Sequence, residues 1–205
     1  MRFTMTDEQI IELGLQELAQ IDPKTDRIEK WKSQLMGYKL NNEYPDDGYI
    51  WLTNILALMA VNYGNFGIGC VLIDVSGNVV VHGHNEIFNP YFRSDRHGEM
   101  VVMDKFEDTH RDFNELKGYT LYTSLEPCPM CLVRLITSTV NKVFYAVPDI
   151  SVGMVHETKC LPPFWIDLSE GMVFNQAKCS QELIKSANDI FLLNAYELYE
   201  KLKNM

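Results

Sequence analysis

The chain has 205 residues, enough for one sizeable domain, and 46% of them are hydrophobic, which suffices to build a core. Its formal net charge is -10, and its Lys and Arg residues are scattered along the sequence. This balance disfavours non-specific attraction to polyanions, so the composition favours a small, weakly charged substrate over DNA or RNA.

Residues 1–48 are predicted to form an N-terminal helical extension. Asp7 can cap a first helix whose apolar residues lie near helical spacing, and Pro23 interrupts the pattern. A second helix is predicted to follow. Its apolar set is Ile28, Trp31, Leu35 and Met36. The turn-rich stretch 41–48 then separates the two helices from the rest of the chain.

Residues 49–205 are predicted to form one α/β domain. Two strands, 68–74 and 79–83, flank a Ser-Gly-Asn turn and are expected to pair as an antiparallel hairpin. Strands separated by helices of this length predict a mixed sheet with helices on both faces. In chain order, the predicted elements are a helix at 49–63, the hairpin, a helix at 97–107, a strand at 120–123, a helix at 129–138, strands at 142–147 and 172–175, and a helix at 180–201.

The cysteines and the apolar segments predict a cytoplasmic protein with reduced thiols. There are five cysteines, an odd number, in a chain well above the size of disulfide-stapled small domains. Residues 1–10 are polar and acidic where a signal peptide would need an apolar stretch. The most apolar segment, 49–61, is shorter than the about 20 residues that a membrane span needs, so a buried helix is expected there.

Two short segments carry candidate catalytic groups: HGE at 97–99 and EPCPMC at 126–131. If Pro129 lies in the first turn of a helix, Cys128 and Cys131 can turn both sulfurs towards one point beyond the helix N-terminus. The positive end of the helix dipole there stabilises thiolates, the form that binds zinc. The second segment therefore predicts two metal ligands.

His97, at the start of the preceding predicted helix, can supply a third ligand. A structural zinc site usually closes with four Cys or His ligands, whereas a catalytic site keeps one position open for water. Zinc lowers the pKa of bound water from about 15.7 to about 7, and Glu99 is placed to move the released proton. A thiol redox pair is the alternative for Cys128 and Cys131, but it would leave His97 and Glu99 without a role.

The combination H-x-E and P-C-x-x-C resembles the signature of the zinc-dependent cytidine/deoxycytidylate deaminase-like superfamily. The order of the predicted elements over about 49–147 is also similar to that family. The sequence TSLEPC at 123–128 is similar to the branch that contains tRNA adenosine deaminases, guanine deaminases and fungal cytosine deaminases. The resemblance implies a three-layer α/β/α cytidine deaminase-like fold with a five-stranded mixed sheet, and a bound Zn²⁺.

The resemblance also implies a role for individual residues. His97, Cys128 and Cys131 are expected to hold the zinc, and Glu99 is expected to act as acid and base rather than as a ligand. Asn85 matches the asparagine that hydrogen-bonds the base in that branch. The implied reaction is hydrolytic deamination of a cyclic amidine with release of ammonia.

A free nucleobase of the guanine or cytosine type is the leading expected substrate, because the Glu126 motif and the acidic composition both favour it. A nucleoside or nucleotide comes second and would be supported if Arg96 faced the pocket. A tRNA adenosine comes third, because Arg96 stands where the tRNA-acting enzymes are expected to have a small residue. A catalytically silent binding module remains as an alternative from another class, although all four catalytic groups are present.

The long segment 149–171 has no place in the tRNA-editing pattern. In the free-base branch, aromatic and acidic residues near the C-terminus cover the substrate, and Phe164, Trp165 and Asp167 are the candidates here. The aromatic residues of the last predicted helix are expected mainly to pack that helix. The resemblance further implies a homodimer with a small heterocycle as its ligand. The acidic composition disfavours a nucleic acid as partner, and the shortness of the most apolar segment argues against a membrane.

Overall fold

A computed structural model describes residues 5–112 and 116–205, and a five-stranded mixed sheet forms their centre. The strands are β1 (Gly69–Ile73), β2 (Val79–His84), β3 (Thr120–Leu125), β4 (Lys142–Val147) and β5 (Val173–Gln176). Their order across the sheet is β2-β1-β3-β4-β5. β1 is antiparallel to β2 and β3, whereas β4 is parallel to β3 and β5. The predicted hairpin and mixed sheet are confirmed.

Helices cover both faces of the sheet. They are α1 (Asp7–Gln20), α2 (Asp26–Gly37), α3 (Asp47–Asn62), α4 (Gly98–Thr109), α5 (Pro129–Thr137), a 3-10 helix (Val155–Cys160), α6 (Pro163–Leu168), α7 (Gln181–Phe191) and α8 (Ala195–Lys203). One apolar core lies between the sheet and α3 and α7, and a second lies between the sheet and α4 and α5. The fold is therefore the expected three-layer α/β/α arrangement.

Helix α3 is buried on almost all sides, which explains why its sequence is apolar throughout rather than amphipathic. The sheet covers one side, and α1 and α2 pack on the other. Gly14 allows α1 to approach α3 closely, since a Cβ at this position would lie 2.2 Å from the Trp51 ring. Ile10 and Leu35 join the same core as α3. The division of the chain at residue 48 stays a prediction.

The helix ends differ from expectation in two places. Thr6, not Asp7, caps α1: its hydroxyl accepts from the Gln9 amide, and the Gln9 side chain accepts from the Thr6 amide. The last predicted helix is two helices, α7 and α8. Asn194 has a non-helical φ of -141° at the break, and its Nδ2 donates to the Asn65 carbonyl. This tertiary hydrogen bond outweighs the local preference for one continuous helix.

Two other expectations are corrected by the described residues. Met36 is 53% exposed and lies outside the buried face of α2. The segment 149–171, for which no element was predicted, contains the 3-10 helix and α6. Within residues 5–112 and 116–205, none of the helices combines the length and apolar character that crossing a bilayer requires.

Candidate metal centre and substrate pocket

Two helix N-termini bring the three predicted ligands together. His97 is the N-cap residue of α4, and Cys128 is the N-cap residue of α5, where Pro129 takes the first helical position. Cys131 lies one turn further along α5 and is fully buried. One ligand atom from each of the three residues lies within 4.8 Å of the other two, and His97 Nδ1 is 3.6 Å from Cys128 Sγ.

This spacing fits a tetrahedral zinc ion. Ligand bonds of about 2.0–2.1 Å to nitrogen and about 2.3 Å to sulfur place two such ligand atoms about 3.5 Å apart. In the part of the chain that the structure describes, the group has three members and no fourth. The donor set therefore fits a zinc site with one open position, as catalytic sites have.

The two thiols differ in their readiness to ionise. A hydrogen bond from Cys131 and, to a smaller extent, the contact with His97 lower the pKa of Cys128 to about 4, against the effect of burial. That same hydrogen bond, together with burial, raises the pKa of Cys131 well above its ordinary value. For His97, burial lowers the pKa, but the hydrogen bond with Cys128 and the charges of Cys128, Glu99 and Asp95 together raise it by more. Because zinc binds thiolates, metal binding must release the proton of Cys131.

Glu99 lies in the first turn of α4 and is 3% exposed. Burial raises the pKa of its carboxyl, and the Thr123 hydroxyl lies 3.5 Å from Oε1. The glycine between His97 and Glu99 is required by packing, since a Cβ at Gly98 would lie 2.8 Å from Cys70 Sγ. The metal ligand and the carboxylate are thus held against β1 by a close backbone contact.

Asn85 follows β2 and is fully buried. Its backbone amide donates to the Ile68 carbonyl at 2.9 Å, and its Oδ1 accepts from the Ile87 amide at 3.2 Å. Among the described residues, none accepts a hydrogen bond from its Nδ2. Since a buried donor without a partner is costly, this amide is placed to donate to a bound ligand.

A cavity of about 210 Å³ joins these groups. Asn85, His97, Glu99 and Cys128 are part of its lining. The apolar and aromatic part of the lining is here called the apolar wall and consists of Phe66, Ile68, Ile87, Leu125, Val152, Phe191, Tyr199 and Leu202. The C-terminal helices therefore contribute to the pocket, whereas their aromatic residues were expected mainly to pack the helix. The sequence has no local signal for this wall.

Glu126 also lines the cavity, but its carboxylate is already bonded. Oε2 accepts from the Asp149 amide at 2.9 Å, and Oε1 accepts from the His156 amide at 3.1 Å and contacts His156 Nδ1 at 2.8 Å. Burial raises the pKa of Glu126, but these bonds lower it by more. Glu126 therefore fixes the loop after β4 rather than offering a free acid to a substrate.

The remaining predicted site residues lie outside the lining of this cavity. Arg96 forms ion pairs with Glu86 at 2.7 Å and Asp104 at 3.0 Å. The structure does not bring Phe164, Trp165 and Asp167 to the cavity. These three lie on α6, where Phe164 is 65% exposed and packs edge-on against Trp165.

Comparison with known proteins identifies relatives of this domain. The tRNA-specific adenosine deaminase of Bacillus subtilis (strain 168) is 38% identical over 96 residues, which cover 45% of this chain and 56% of the relative. A probable cytosine deaminase of Schizosaccharomyces pombe (strain 972) is 27% identical over 105 residues, which cover 51% of this chain and 62% of the relative. The chain thus spans little more than half the length of these two curated relatives.

Among solved structures, the guanine deaminase from Nitrosomonas europaea superposes with a TM-score of 0.56 at 15% identity, over 82% of this chain and 93% of that one. This likeness shows the shared fold. The family model of the cytidine and deoxycytidylate deaminase zinc-binding region matches residues 49–147, which contain Asn85, His97, Glu99 and both cysteine ligands. Residues 49–147 are therefore a region similar to the zinc-binding region of cytidine and deoxycytidylate deaminases.

Proposed function

We propose that the protein catalyses the zinc-dependent hydrolytic deamination of a free nucleobase of the guanine or cytosine type, or of a closely related small heterocycle. The observation that carries this proposal is the buried, unpartnered Nδ2 of Asn85, in the same small cavity as Glu99 and the ligand group. Such a donor complements a carbonyl oxygen or ring nitrogen of a planar base.

Five residues would carry out the proposed deamination, in three separate roles. Zinc held by His97, Cys128 and Cys131 would act as a Lewis acid and make water nucleophilic at neutral pH. Glu99 takes a proton onto its carboxylate and delivers it to the departing amino group, so that water and the amidine become a carbonyl and ammonia. Asn85 orients the ring through Nδ2, and the apolar wall excludes bulk water.

The size of the cavity supports a small substrate. At about 210 Å³ it lies below the range of about 300–1,000 Å³ that is common for ligand pockets. Tyr199 and Leu202 of α8 form part of its wall, which limits access for a large substrate. Arg96 is engaged with two carboxylates, so it does not supply the phosphate contact that a nucleotide substrate would need.

tRNA adenosine deamination is the second candidate, and the relationship to the Bacillus subtilis enzyme favours it. The net charge of -10 argues against it, because RNA binding depends on contacts between cations and phosphates. Inosine formation in tRNA, with affinity that falls steeply as salt increases, would support this second candidate over the first.

The test is an ammonia-release assay with zinc-loaded protein on guanine, cytosine, adenine, their nucleosides and monophosphates, and a tRNA pool. Glu99→Gln should lower kcat for the accepted substrate by about 10²–10⁴-fold, since it removes the proton carrier but keeps the shape. Glu107→Gln, on the outer part of the same helix, is the matched control and should match the wild type. Equal ammonia release from wild type and Glu99→Gln would refute the mechanism.

We further propose a cytoplasmic homodimer. The 3-10 helix and α6 have no buried residue among those described, although α6 carries four apolar side chains in PFWIDL. Ile150 and Phe164 are 85% and 65% exposed and lie on either side of the 3-10 helix in the chain. Large exposed apolar side chains of this kind are typical of a surface that a second copy covers. The cytoplasmic location is supported by five free thiols.

Analytical ultracentrifugation tests the dimer. Phe164→Glu should shift the protein from dimer to monomer, because it places a charge in the covered surface. Tyr196→Glu, at a position 81% exposed on α8, is the control and should leave the dimer intact. A monomeric wild-type protein at micromolar concentration would refute the proposal.

A further inference from the structure

A second concave surface lies beside the catalytic cavity and is not used by the proposed reaction. It is a groove of about 490 Å³ between the start of α2, the end of α3 and helix α8. Lys24, Arg27 and Lys201 line it together with Tyr63 and Asn194. A neighbouring cavity of about 440 Å³ shares Lys24 and Tyr63 with it, so the two form one continuous surface, here called the basic groove.

The charge of the basic groove is opposite to that of the whole chain. Within residues 5–112 and 116–205, no carboxylate forms an ion pair with Lys24, Arg27 or Lys201. Glu197 is the acidic residue of the larger cavity, and Glu86 of the smaller cavity is already paired with Arg96. Lys201 Nζ lies 4.2 Å from the centroid of the Phe88 ring, which leaves its charge unneutralised. Three cations without a carboxylate partner around one concavity attract anions even though the protein carries a net charge of -10.

Two amide side chains in the groove each have one buried atom without a partner among the described residues. Asn65 lines the smaller cavity and is 1% exposed; its Oδ1 accepts from the amides of Phe88 and Asn89, but its Nδ2 has no acceptor among the described side chains and backbone. Asn194 Oδ1 in the larger cavity is equally unpartnered in the described part of the chain. Buried polar atoms of this kind are usually satisfied by a ligand or by water.

The groove also offers a flat apolar contact. Tyr63 is 40% exposed, lines both cavities and has Lys24 Nζ 6.0 Å from its ring centroid. An aromatic face beside cations suits a ligand that combines a planar ring with an anion. The volume lies within the range of about 300–1,000 Å³ that is common for small-molecule sites.

We propose that the basic groove binds a small phosphorylated molecule of nucleotide size. The phosphate pairs with Arg27, Lys24 and Lys201, and the ring lies against Tyr63. The site is adjacent to the catalytic cavity but separate from it. Asn85 lines the catalytic cavity, whereas the next residue, Glu86, lines the groove. The inference does not rest on the proposed reaction, because none of its groups takes part in deamination.

Isothermal titration calorimetry with AMP, GMP, pyrophosphate and a short RNA oligonucleotide tests the proposal. We expect binding of at least one nucleotide by the wild type, and a loss of at least about tenfold in affinity for Arg27→Gln/Lys201→Gln, since the variant removes two charge-assisted contacts. Lys30→Gln/Lys203→Gln is the matched control. It makes the same change in net charge on the same two helices but outside the groove, and it should bind as the wild type does.

Three outcomes would overturn the proposal: no binding of any probe, equal losses in the two double variants, or binding only of an RNA oligonucleotide. The last result would instead assign the groove to an RNA backbone. Ammonia release is measured in parallel on all variants. Arg27→Gln/Lys201→Gln is expected to keep its deaminase activity. If the groove proposal is wrong, only the calorimetry contradicts expectation; if the proposed reaction is wrong, only the ammonia assay does.

Discussion

The two walls of the catalytic cavity are built in different ways. The metal-side wall uses residues from two short motifs, each fixed by a helix N-terminus that packs on the sheet. The apolar wall includes Phe66, Phe191, Tyr199 and Leu202, which are far apart in sequence and meet through packing of α7 and α8. The metal-side wall determines the reaction, and the apolar wall determines which molecule reaches it.

The largest expected effect comes from breaking the metal-side wall. Cys131→Ser replaces a buried thiolate by a poor zinc ligand of almost the same shape. We expect zinc content well below one per chain and ammonia release at background, measured by elemental analysis and the activity assay. Cys160→Ser, at an exposed cysteine outside the ligand group, should retain metal and activity. Full zinc loading of Cys131→Ser would contradict the assignment.

A smaller effect is expected from the connection between the segment that contains the ligand His97 and the segment that contains Asn85. Arg96 links them twice, because its carbonyl accepts from the Glu86 amide and its guanidinium pairs with the Glu86 carboxylate. Arg96→Gln should lower kcat/KM by about 10–100-fold, the usual range for residues that orient metal ligands. Arg93→Gln, whose exposed ion pair is with Asp95, is the control and should leave kcat/KM unchanged. An unchanged kcat/KM for Arg96→Gln would show that the two segments are held by the backbone alone.

Gly98 provides a test of how tightly the metal-side wall is packed. Gly98→Ala places a Cβ against Cys70 Sγ and should lower the free energy of unfolding by about 1–3 kcal/mol. Adding Cys70→Ala removes the sulfur and should recover part of that loss beyond additivity in a double-mutant cycle, measured by urea unfolding. Strict additivity of the two changes would mean that the contact is relaxed elsewhere.

The smallest effect is expected from a change in the apolar wall. Tyr199→Ala enlarges the cavity without touching the metal-side residues, so KM for the preferred base should rise several-fold while kcat changes little. Discrimination against the corresponding nucleoside should weaken. Tyr196→Ala, on the exposed face of the same helix, serves as the control. A large drop in kcat for Tyr199→Ala would show that the two walls do not act separately.

This contrast also explains how much the sequence could predict. The strands, the main helices and the ligand set follow from local patterns: apolar periodicity, a Gly-Asn turn, and ligands at fixed spacing beside a proline. The break between α7 and α8 depends on a hydrogen bond from Asn194 to Asn65, which no local pattern contains. The bonding of Glu126 by His156 and the approach of Tyr199 to the cavity likewise depend on contacts distant in sequence.

The apolar wall is built from residues that are distant in sequence, and this has a consequence for biosynthesis. A chain emerges from the ribosome N-terminus first, so the ligands at 97–131 are available before α8 at 195–203. Metal acquisition can therefore precede closure of the cavity. A product truncated before α8 would hold its ion in a pocket that lies open to solvent and discriminates poorly among small molecules.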